Sequence, residues 1–363
     1  MTDRDSTPPP GLPPDYATAR GHFLSACERA GAQVRSVVHP LTGPDGEVAM
    51  DIATLGPADA TSAVFVVSGT HGVEGYAGSP LQSHWLANHA ATQPADVRTV
   101  WLHAHNPYGF AWTRRVNEDN VDLNRNYLEW PAEPVHNAGY DGLAALVVPA
   151  DWSEATQQET TNALLAFAAE HGMDALQAAL SQGQYAHPTG IFYGGSGPTW
   201  SFERMKEFVA KELAGLERVA VIDLHTGLGE WGYGEMISHH EVDSDGYRRA
   251  ASWWTGVASM VDGDSTSARL YGDWLERFDH WMPHAEVTSC ALEYGTVDLV
   301  TVLQSLRADA WLHAHGEPLS AAGDAVRQQV RAAFADDDPA WIAKLWPRFV
   351  EVLEAAFGQL SRG

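Results

Sequence analysis

The sequence predicts an α/β fold, in which helical crossovers connect the strands of a sheet. Three segments in chain order support this: the apolar run SAVFVVSG at 62–69, a helical segment from about Ser79 to His89, and a second apolar run, RTVWLHAH, at 98–105. Strand, helix and strand in this order are typical of a crossover connection. The chain has 363 residues, 45% of them hydrophobic, which is enough for one large domain with a substantial core.

The N-terminal segments predict a leader, a helix and a pair of strands. Residues 1–15 are rich in proline and polar groups and predict a flexible leader, because they cannot bury enough apolar surface. HFLSACERAGA at 22–32 predicts a helix. QVRSVVHPL at 33–41 and EVAMDIATL at 47–55 predict two strands joined by the turn TGPDG.

The second half of the chain predicts an insertion and further helices. Around residues 128–190 a loop rich in proline and asparagine precedes the amphipathic stretch TTNALLAFAAEHGMDALQAALSQG, which predicts a helical insertion. Apolar residues at helical spacing between 202 and 216 predict a helix before the strand RVAVIDLH. The segment at 339–360 has an apolar stripe and predicts a helix that Pro347 kinks or restarts. With no repeat or linker evident, a single domain is expected.

Composition excludes several classes of partner. The formal net charge is −25, with only 22 Lys plus Arg, whereas nucleic acids and anionic membrane surfaces require a basic footprint. The N-terminus lacks the apolar segment of a signal peptide, and no run of 18 or more apolar residues occurs. We therefore expect a cytoplasmic protein without a nucleic-acid or membrane partner. The oligomeric state cannot be predicted from these features.

The segment VSGTHGVEGYAG at 67–78 places an imidazole and a carboxylate directly after the first apolar run. His71 and Glu74 are three positions apart, and three glycines allow the backbone to bend enough for both side chains to converge. Imidazole and carboxylate are a ligand pair suited to zinc. The same spacing also occurs on ordinary solvated loops, so for this pair alone both interpretations stay open.

A third candidate ligand follows another apolar run, in RVAVIDLHTGLG at 218–229. His225 lies where α/β sheets usually hold functional residues, outside the carboxyl ends of the strands. With His71 and Glu74 it would complete a His₂Glu set, which leaves a fourth coordination position open for water. Asp223 shares a strand face with His225, and it either orients this imidazole or is a buried aspartate bonded to backbone.

Three arginines, Arg114, Arg115 and Arg125, are concentrated in WTRRVNEDNVDLNRNYLEW at 112–130. They could form surface salt bridges with the acidic residues of the same stretch. Alternatively, one arginine could hold a substrate carboxylate and another could stabilise an oxyanion. The stretch alone leaves both interpretations open.

Four blocks in this order resemble the signature of the zinc carboxypeptidase superfamily: HGVE at 71–74, VDLNRN at 121–126, DLHTG at 223–227 and ALEYGT at 291–296. The superfamily includes carboxypeptidase A-like enzymes and the succinylglutamate desuccinylase and aspartoacylase deacylases. HAHNPYGFAW and HPTGIFYGGSG resemble a bacterial branch of it. The resemblance implies one α/β domain over residues 16–363, with a mixed, mostly parallel twisted sheet flanked by helices on both faces.

The resemblance also implies roles for eight residues. They are the ligands of one zinc ion per chain, His71, Glu74 and His225; the substrate-carboxylate clamp, Asn124 and Arg125; the oxyanion-stabilising Arg115, with Arg114 as its reserve; and the general base, Glu293.

Glu293 is also unusual for its sequence context. It is a carboxylate in the otherwise apolar and small-residue stretch SCALEYGTV, which predicts a buried strand. Buried carboxylates usually have a charged partner or a chemical role, so a structural salt bridge is the alternative.

The resulting functional prediction is a zinc metallohydrolase that cleaves an amide or peptide bond next to a free carboxylate. Glu293 would activate a zinc-bound water and return its proton to the leaving nitrogen. The substrate would be a small molecule or a peptide bearing a carboxylate. The alternatives are a deacylase or esterase acting on small N-acyl amino acids, and a non-catalytic metal-binding protein of the same fold.

Overall fold

The computed structural model describes residues 7–133 and 135–361, in which eight strands form one sheet. In chain order the strands are β1 (Gln33–Gly43), β2 (Gly46–Leu55), β3 (Ser62–Ser68), β4 (Val97–His103), β5 (Arg218–Trp231), β6 (Gly234–Ser238), β7 (Val257–Ser259) and β8 (Glu286–Gly295). In space their order is β1-β2-β4-β3-β5-β8-β6-β7. The hairpin predicted around TGPDG is the β1–β2 pair.

The sheet is mixed, and its central strands are parallel. β3 pairs in parallel with both β4 and β5, and β5 pairs in parallel with β8. The edge pair β6–β7 is also parallel, whereas β1–β2, β2–β4 and β6–β8 are antiparallel. Parallel neighbours require crossover connections, which helices supply here. The predicted α/β fold with a mixed, mostly parallel sheet is therefore confirmed.

Twelve α-helices occur in the described residues. They are α1 (Tyr16–Ala30), α2 (Gly75–His89), α3 (Pro107–Ala111), α4 (Ala138–Val147), α5 (Glu154–His171), α6 (Met173–Ser181), α7 (Trp200–Phe208), α8 (Asp245–Trp253), α9 (Trp274–Trp281), α10 (Leu299–His315), α11 (Ala321–Phe334) and α12 (Pro339–Leu360). Within the described part of the chain, no helix combines the length and apolar character needed to cross a membrane.

The two faces of the sheet are covered by different helices. On β3, Val64 and Val66 belong to a core cluster with apolar residues of α1, α2 and α12. Phe65 and Val67 point to the opposite face and pack with residues of α7 and α9. Because both faces of β3 are buried, its sequence is an uninterrupted apolar run rather than an alternating one.

The predicted helical insertion is present and contains three helices, α4, α5 and α6. α5 and α6 are separated by Gly172, whose φ of +98° interrupts the helical backbone. These helices pack with α10 and α11 in a cluster of their own. At the C-terminus α12 is one helix that includes Pro347, so the predicted restart of the helix at this proline is not observed.

The predicted leader is described only in part, since residues 1–6 lie outside the described ranges. Residues 7–15 precede α1 and contain no helix or strand. Within this segment, the carbonyl groups of Pro13 and Pro14 accept hydrogen bonds from Arg331 of α11 at 3.0 and 3.1 Å. The division of the chain at residue 15 stays a prediction.

Candidate metal centre and cavity

His71 and Glu74 lie in the tight turn between β3 and α2. Gly69 has a φ of +66°, which turns the chain out of the strand. At Gly72 the backbone packs directly on α3, because a Cβ there would lie 2.1 Å from the carbonyl carbon of Gly109. The Gly72 amide donates to the carbonyl of Arg115 at 3.0 Å. The turn therefore requires glycine at 69 because of the positive φ, and at 72 because the backbone of Gly109 is too close for a Cβ.

His225 and Glu293 lie side by side on neighbouring strands. β5 and β8 are parallel, and their register pairs His225 with Glu293. β5 is also paired with β3, so His225 comes out of the sheet beside the turn that holds His71. Both histidines and Glu293 are buried, with at most 8% of each residue exposed. The structure therefore brings together residues separated by more than 200 positions in the chain.

Three candidate ligands converge on one point. The Nδ1 atoms of His71 and His225 lie 3.1 Å apart, and each is 2.9 Å from an oxygen of Glu74. The outer nitrogen of each ring, Nε2, contacts a carboxylate: Asp122 at 3.2 Å for His71, and Asp223 for His225. When the outer nitrogens donate to these carboxylates, the two Nδ1 lone pairs and Glu74 face one another.

Such an arrangement needs a cation between the three groups. Two lone pairs and a carboxylate at these distances repel one another unless a proton or a metal ion is shared among them. Two imidazoles and a carboxylate, each imidazole backed by a further carboxylate, are the ligand set and supporting shell of a zinc site. The residues present at this site therefore fit a divalent transition metal.

A buried chain of hydrogen bonds supports Asp223. Thr70 donates its hydroxyl to Asp223 Oδ1 at 2.9 Å, and Thr70 Oγ1 lies 3.2 Å from His105 Nδ1. His105 Nε2 in turn is 2.6 Å from the hydroxyl of Tyr127. Burial lowers the pKa of His105 to about 4, so this imidazole is neutral and has one N–H to donate. Tyr127 can therefore donate to His105, His105 to Thr70, and Thr70 to Asp223.

Arg115 lies against Glu74, one of the three candidate ligands. Its Nη1 is 3.1 Å from Glu74 Oε1, and its Nε donates to Asp122 Oδ2 at 2.9 Å. Burial by itself raises the pKa of Glu74, but the neighbouring His71 and His225 lower this pKa by more than burial raises it. The positive charge of Arg115 thus lies between two carboxylates of the site, those of Glu74 and Asp122.

The other two arginines differ in position. Arg125 borders the same cavity, and its Nε and Nη1 donate to the carbonyls of Ser181 and Asn124 at 2.9 and 3.0 Å. Arg114 instead forms a buried ion pair with Asp309 of α10 at 3.0 Å. Among the described residues Arg114 does not line the cavity. The structure thus separates Arg114 from the other predicted site residues.

Glu293 borders the cavity with its carboxyl group. Its Oε1 accepts a hydrogen bond from the backbone amide of Leu228 at 3.0 Å. Burial and then the nearby charge of Glu74 raise the pKa of Glu293 to about 8. A divalent cation next to this group would lower that pKa again. The carboxyl can therefore change protonation near neutral pH.

One cavity joins these residues to the helical insertion. It has an empty volume of about 1360 Å³, a figure that includes space open to solvent, and its lining includes His71, Arg115, Asn124, Arg125, His225 and Glu293. Leu164 and Leu176 of the insertion pack with Val302 and Leu306 of α10 and form an apolar wall of the same cavity. A ligand there would meet both charged groups and hydrocarbon.

Sequence reasoning missed four contributors to this site. Asp122, Thr70 and Phe192 each contact a predicted site residue or its direct partner, Phe192 by stacking on Arg115 and Arg125 at 5.3 and 5.2 Å, and His105 bonds Thr70. Asp122 and Thr70 lie within or next to the quoted blocks, and their buried polar character was the available signal. The role of Asp223, left open from the sequence, is decided by its contact with His225.

Comparisons with solved structures return proteins of low similarity. They include an aspartoacylase family protein from Mesorhizobium loti, at 14% identity over 73% of this chain and 61% of that chain, with a TM-score of 0.41. A succinylglutamate desuccinylase from Silicibacter sp. matches at 11% identity over 78% of this chain and 66% of that chain, with a TM-score of 0.40. In both cases the chain spans less than two thirds of the other protein's length.

A third structure is that of bovine thrombin-activatable fibrinolysis inhibitor in complex with tick carboxypeptidase inhibitor. It matches at 11% identity over 93% of this chain and 97% of that chain, with a TM-score of 0.43. The first two structures bear names of the superfamily that the four sequence blocks predicted. A search of curated proteins finds no match.

One protein family matches almost the whole chain. Its description is "Protein of unknown function (DUF2817)", and the match covers residues 14–348, which include all the candidate ligands, the three arginines and Glu293. The match also includes the helical insertion and the helices that line the cavity. The chain therefore belongs to the DUF2817 family.

Proposed function

We propose that this protein is a metal-dependent hydrolase that cleaves an amide bond next to a free carboxylate. The observation that supports the proposal is the convergence of His71, Glu74 and His225 at one end of a cavity that Glu293 and Arg115 also border. A divalent cation held by these three residues would acidify water and polarise a substrate carbonyl. Zinc, at one ion per chain at this site, is the metal that this ligand set fits best.

Glu293 is the proposed general base and acid. It is buried beside His225, and its backbone partner Leu228 fixes one carboxyl oxygen and leaves the other for proton transfer. The positive charge of a bound cation would favour its ionised form, which can accept a proton from water. The same carboxyl would then donate this proton to the leaving nitrogen.

Arg115 is proposed to stabilise the developing oxyanion. Two of its nitrogens, Nε and Nη1, already bond Asp122 and Glu74, which holds the guanidinium in one orientation. Its remaining nitrogen, Nη2, can donate to an oxygen in the cavity. A donor held in place before the reaction stabilises charge without reorganising, which is why such groups contribute strongly to catalysis.

Asn124 and Arg125 are proposed to hold the substrate carboxylate. Asn124 is buried, and its Oδ1 has no hydrogen-bond partner among the described residues. Arg125 uses part of its guanidinium on backbone carbonyls and stacks on Phe192, so its position is fixed while further N–H groups stay free for a ligand. A positioned arginine can bind a carboxylate through two parallel hydrogen bonds.

A deacylase acting on small N-acyl amino acids is the second candidate. The apolar wall formed by α5, α6 and α10 supports it, since an acyl chain could lie there while the amino-acid carboxylate meets Arg125. The two candidate functions use the same catalytic and binding residues and differ in which part of the substrate contacts this apolar wall. Kinetics on a panel of N-acyl amino acids and of peptides with free C-termini would separate them, by which class has the higher kcat/KM.

The decisive variant is Glu293→Gln. We expect it to retain metal and fold while turnover falls by about 10² to 10⁴-fold, the usual contribution of a general base. Glu286→Gln, the same change at the exposed start of β8, is the matched control and should keep wild-type activity. Turnover of Glu293→Gln near that of the wild type would refute the proposed mechanism.

A further inference from the structure

A second group of potential metal ligands lies apart from the first. His239 and His240 follow β6 directly, and Asp279 lies on α9. One ligand atom from each of the three lies within 4.8 Å of the other two. From sequence the two histidines are indistinguishable from ordinary packed or hydrogen-bonded ones, because Asp279 is about 40 positions away along the chain.

Both imidazoles approach the same carboxylate oxygen. His239 Nε2 lies 3.1 Å and His240 Nε2 lies 3.2 Å from Asp279 Oδ2, and the two ring centroids are 4.0 Å apart. The second oxygen, Oδ1, is 3.3 Å from the hydroxyl of Ser289. Two imidazoles thus share one carboxylate oxygen, although only His239 makes a hydrogen bond to it.

The hydrogen bonding of this cluster is incomplete. His240 Nε2 is buried and, despite its distance from Asp279, makes no hydrogen bond with any described residue. The His239 side chain is only 4% exposed, and its Nδ1 also has no partner among the described residues. Buried polar atoms without partners are uncommon and often mark a missing water or ion.

We propose that His239, His240 and Asp279 form a second binding site for a divalent transition metal. Two imidazole nitrogens and one carboxylate oxygen are ligands that zinc and neighbouring first-row metals accept. A cation between the three groups would satisfy the unpartnered His240 nitrogen and the shared carboxylate together. The alternative is a plain ion pair between Asp279 and a protonated histidine.

The position of this site suggests what the metal does. His239 lines the same cavity as His71 and His225. Asp279 lies on α9, and Trp274 at the beginning of that helix donates its indole N–H to Asp223 Oδ2 at 2.6 Å. Asp223 in turn contacts His225. A metal that ties the loop after β6 to α9 would therefore stabilise the helix that supports one ligand of the first site.

Metal stoichiometry tests this inference directly. The full chain, stripped with a chelator and titrated with Zn²⁺, is expected to bind two equivalents. Asp279→Asn and the double variant His71→Ala/His225→Ala should each bind one. Asp141→Asn is the matched control, since Asp141 also pairs with two histidines, His136 and His187, but on the surface. It should still bind two.

The outcomes separate this inference from the proposed function. If the second site is absent, the wild type binds one equivalent, which Asp279→Asn keeps and the double variant loses. If only the first site is absent, Asp279→Asn loses the single equivalent and the double variant keeps it. His240→Gln provides a second test if Asp279→Asn does not fold, because the His240 side chain is 22% exposed and its replacement disturbs the core less. Retention of both equivalents by His240→Gln and Asp279→Asn would overturn the inference.

Discussion

At the scale of single residues, Asp223 decides the orientation of His225. Its Oδ2 accepts from the indole of Trp274 and contacts His225 Nε2, while its Oδ1 accepts from Thr70. A carboxylate in this position keeps the proton of His225 on Nε2, so Nδ1 faces Glu74 with its lone pair. Each partner of Asp223 can donate, so its two oxygens accept up to three hydrogen bonds.

Asp223→Asn should therefore weaken zinc binding at the first site. We expect a loss of affinity of about 10 to 100-fold, because the amide can present an N–H to a neighbouring donor and loses one acceptor. The measurement is a competition titration with a chromophoric chelator. Thr70→Val removes one hydrogen bond but keeps the charge, so it should have a smaller effect. An unchanged affinity in Asp223→Asn would contradict this role.

His103 provides a residue-scale prediction about pH. Its ring stacks on Phe23 at 4.7 Å, and burial lowers its pKa to about 4. Between that pKa and the unfolded value near 6.5, the unfolded chain binds more protons than the folded one, so the free energy of unfolding falls as pH falls. His103→Gln should reduce this slope by up to about 1.4 kcal/mol per pH unit.

The measurement for His103 is denaturant unfolding between pH 4.5 and 7. The slope is compared and not the absolute stability, because the substitution itself changes packing. His136→Gln, at a side chain 74% exposed, is the control and should leave the slope as in the wild type. A His103→Gln slope equal to that of the wild type would contradict the assigned pKa.

At the scale of elements, the turn between β3 and α2 is the critical connection. It places His71 and Glu74 beside His225, in the middle of β5, and it is held by backbone hydrogen bonds from Gly72 and Val73 to the carbonyls of Arg115 and Arg114. The turn and the arginine loop therefore form one unit. Any change that separates them would displace both the ligands and Arg115.

Gly72→Ala should disrupt this unit. Its Cβ would lie 2.1 Å from backbone of Gly109, so the two segments must move apart, at a cost of about 1–3 kcal/mol or more in stability. Zinc affinity should fall as well. Gly21→Ala, on α1 with open space around the new Cβ, is the matched control and should be stabilising by about 0.5–1 kcal/mol. Equal stabilities of the two variants by urea denaturation would refute this account.

At the scale of the whole molecule, metal binding and folding should be coupled. The first site joins the turn after β3 to the middle of β5, so a metal there links segments that are separate in the unfolded chain. Free zinc at 100 times the dissociation constant should raise the free energy of unfolding by about 2.7 kcal/mol for each site.

Thermal unfolding with and without chelator measures this coupling. The melting temperature of the wild type should fall on chelation, and that of His71→Ala/His225→Ala should fall less, because only the second site then contributes. A melting temperature of the wild type that does not depend on zinc would contradict the coupling.

Local pattern was enough to predict the central strands, several helices and the residue types that come together at the candidate metal site. Uninterrupted apolar runs predicted the central strands, since strands buried on both faces need no polar side. The position of His71 and His225 just after such runs predicted their proximity, because the carboxyl ends of parallel strands lie at the same edge of a sheet. These features depend on residues close together in the chain, so the sequence by itself determined them.

Only the tertiary structure decided how distant polar residues pair. Arg114 and Arg115 are adjacent in sequence, yet Arg114 bonds Asp309 of α10 and Arg115 bonds Glu74 and Asp122. The apolar wall of the cavity likewise depends on how the insertion packs against α10. The physical reason is that such contacts are set by the relative placement of whole elements, and the periodicity of one segment does not encode that placement.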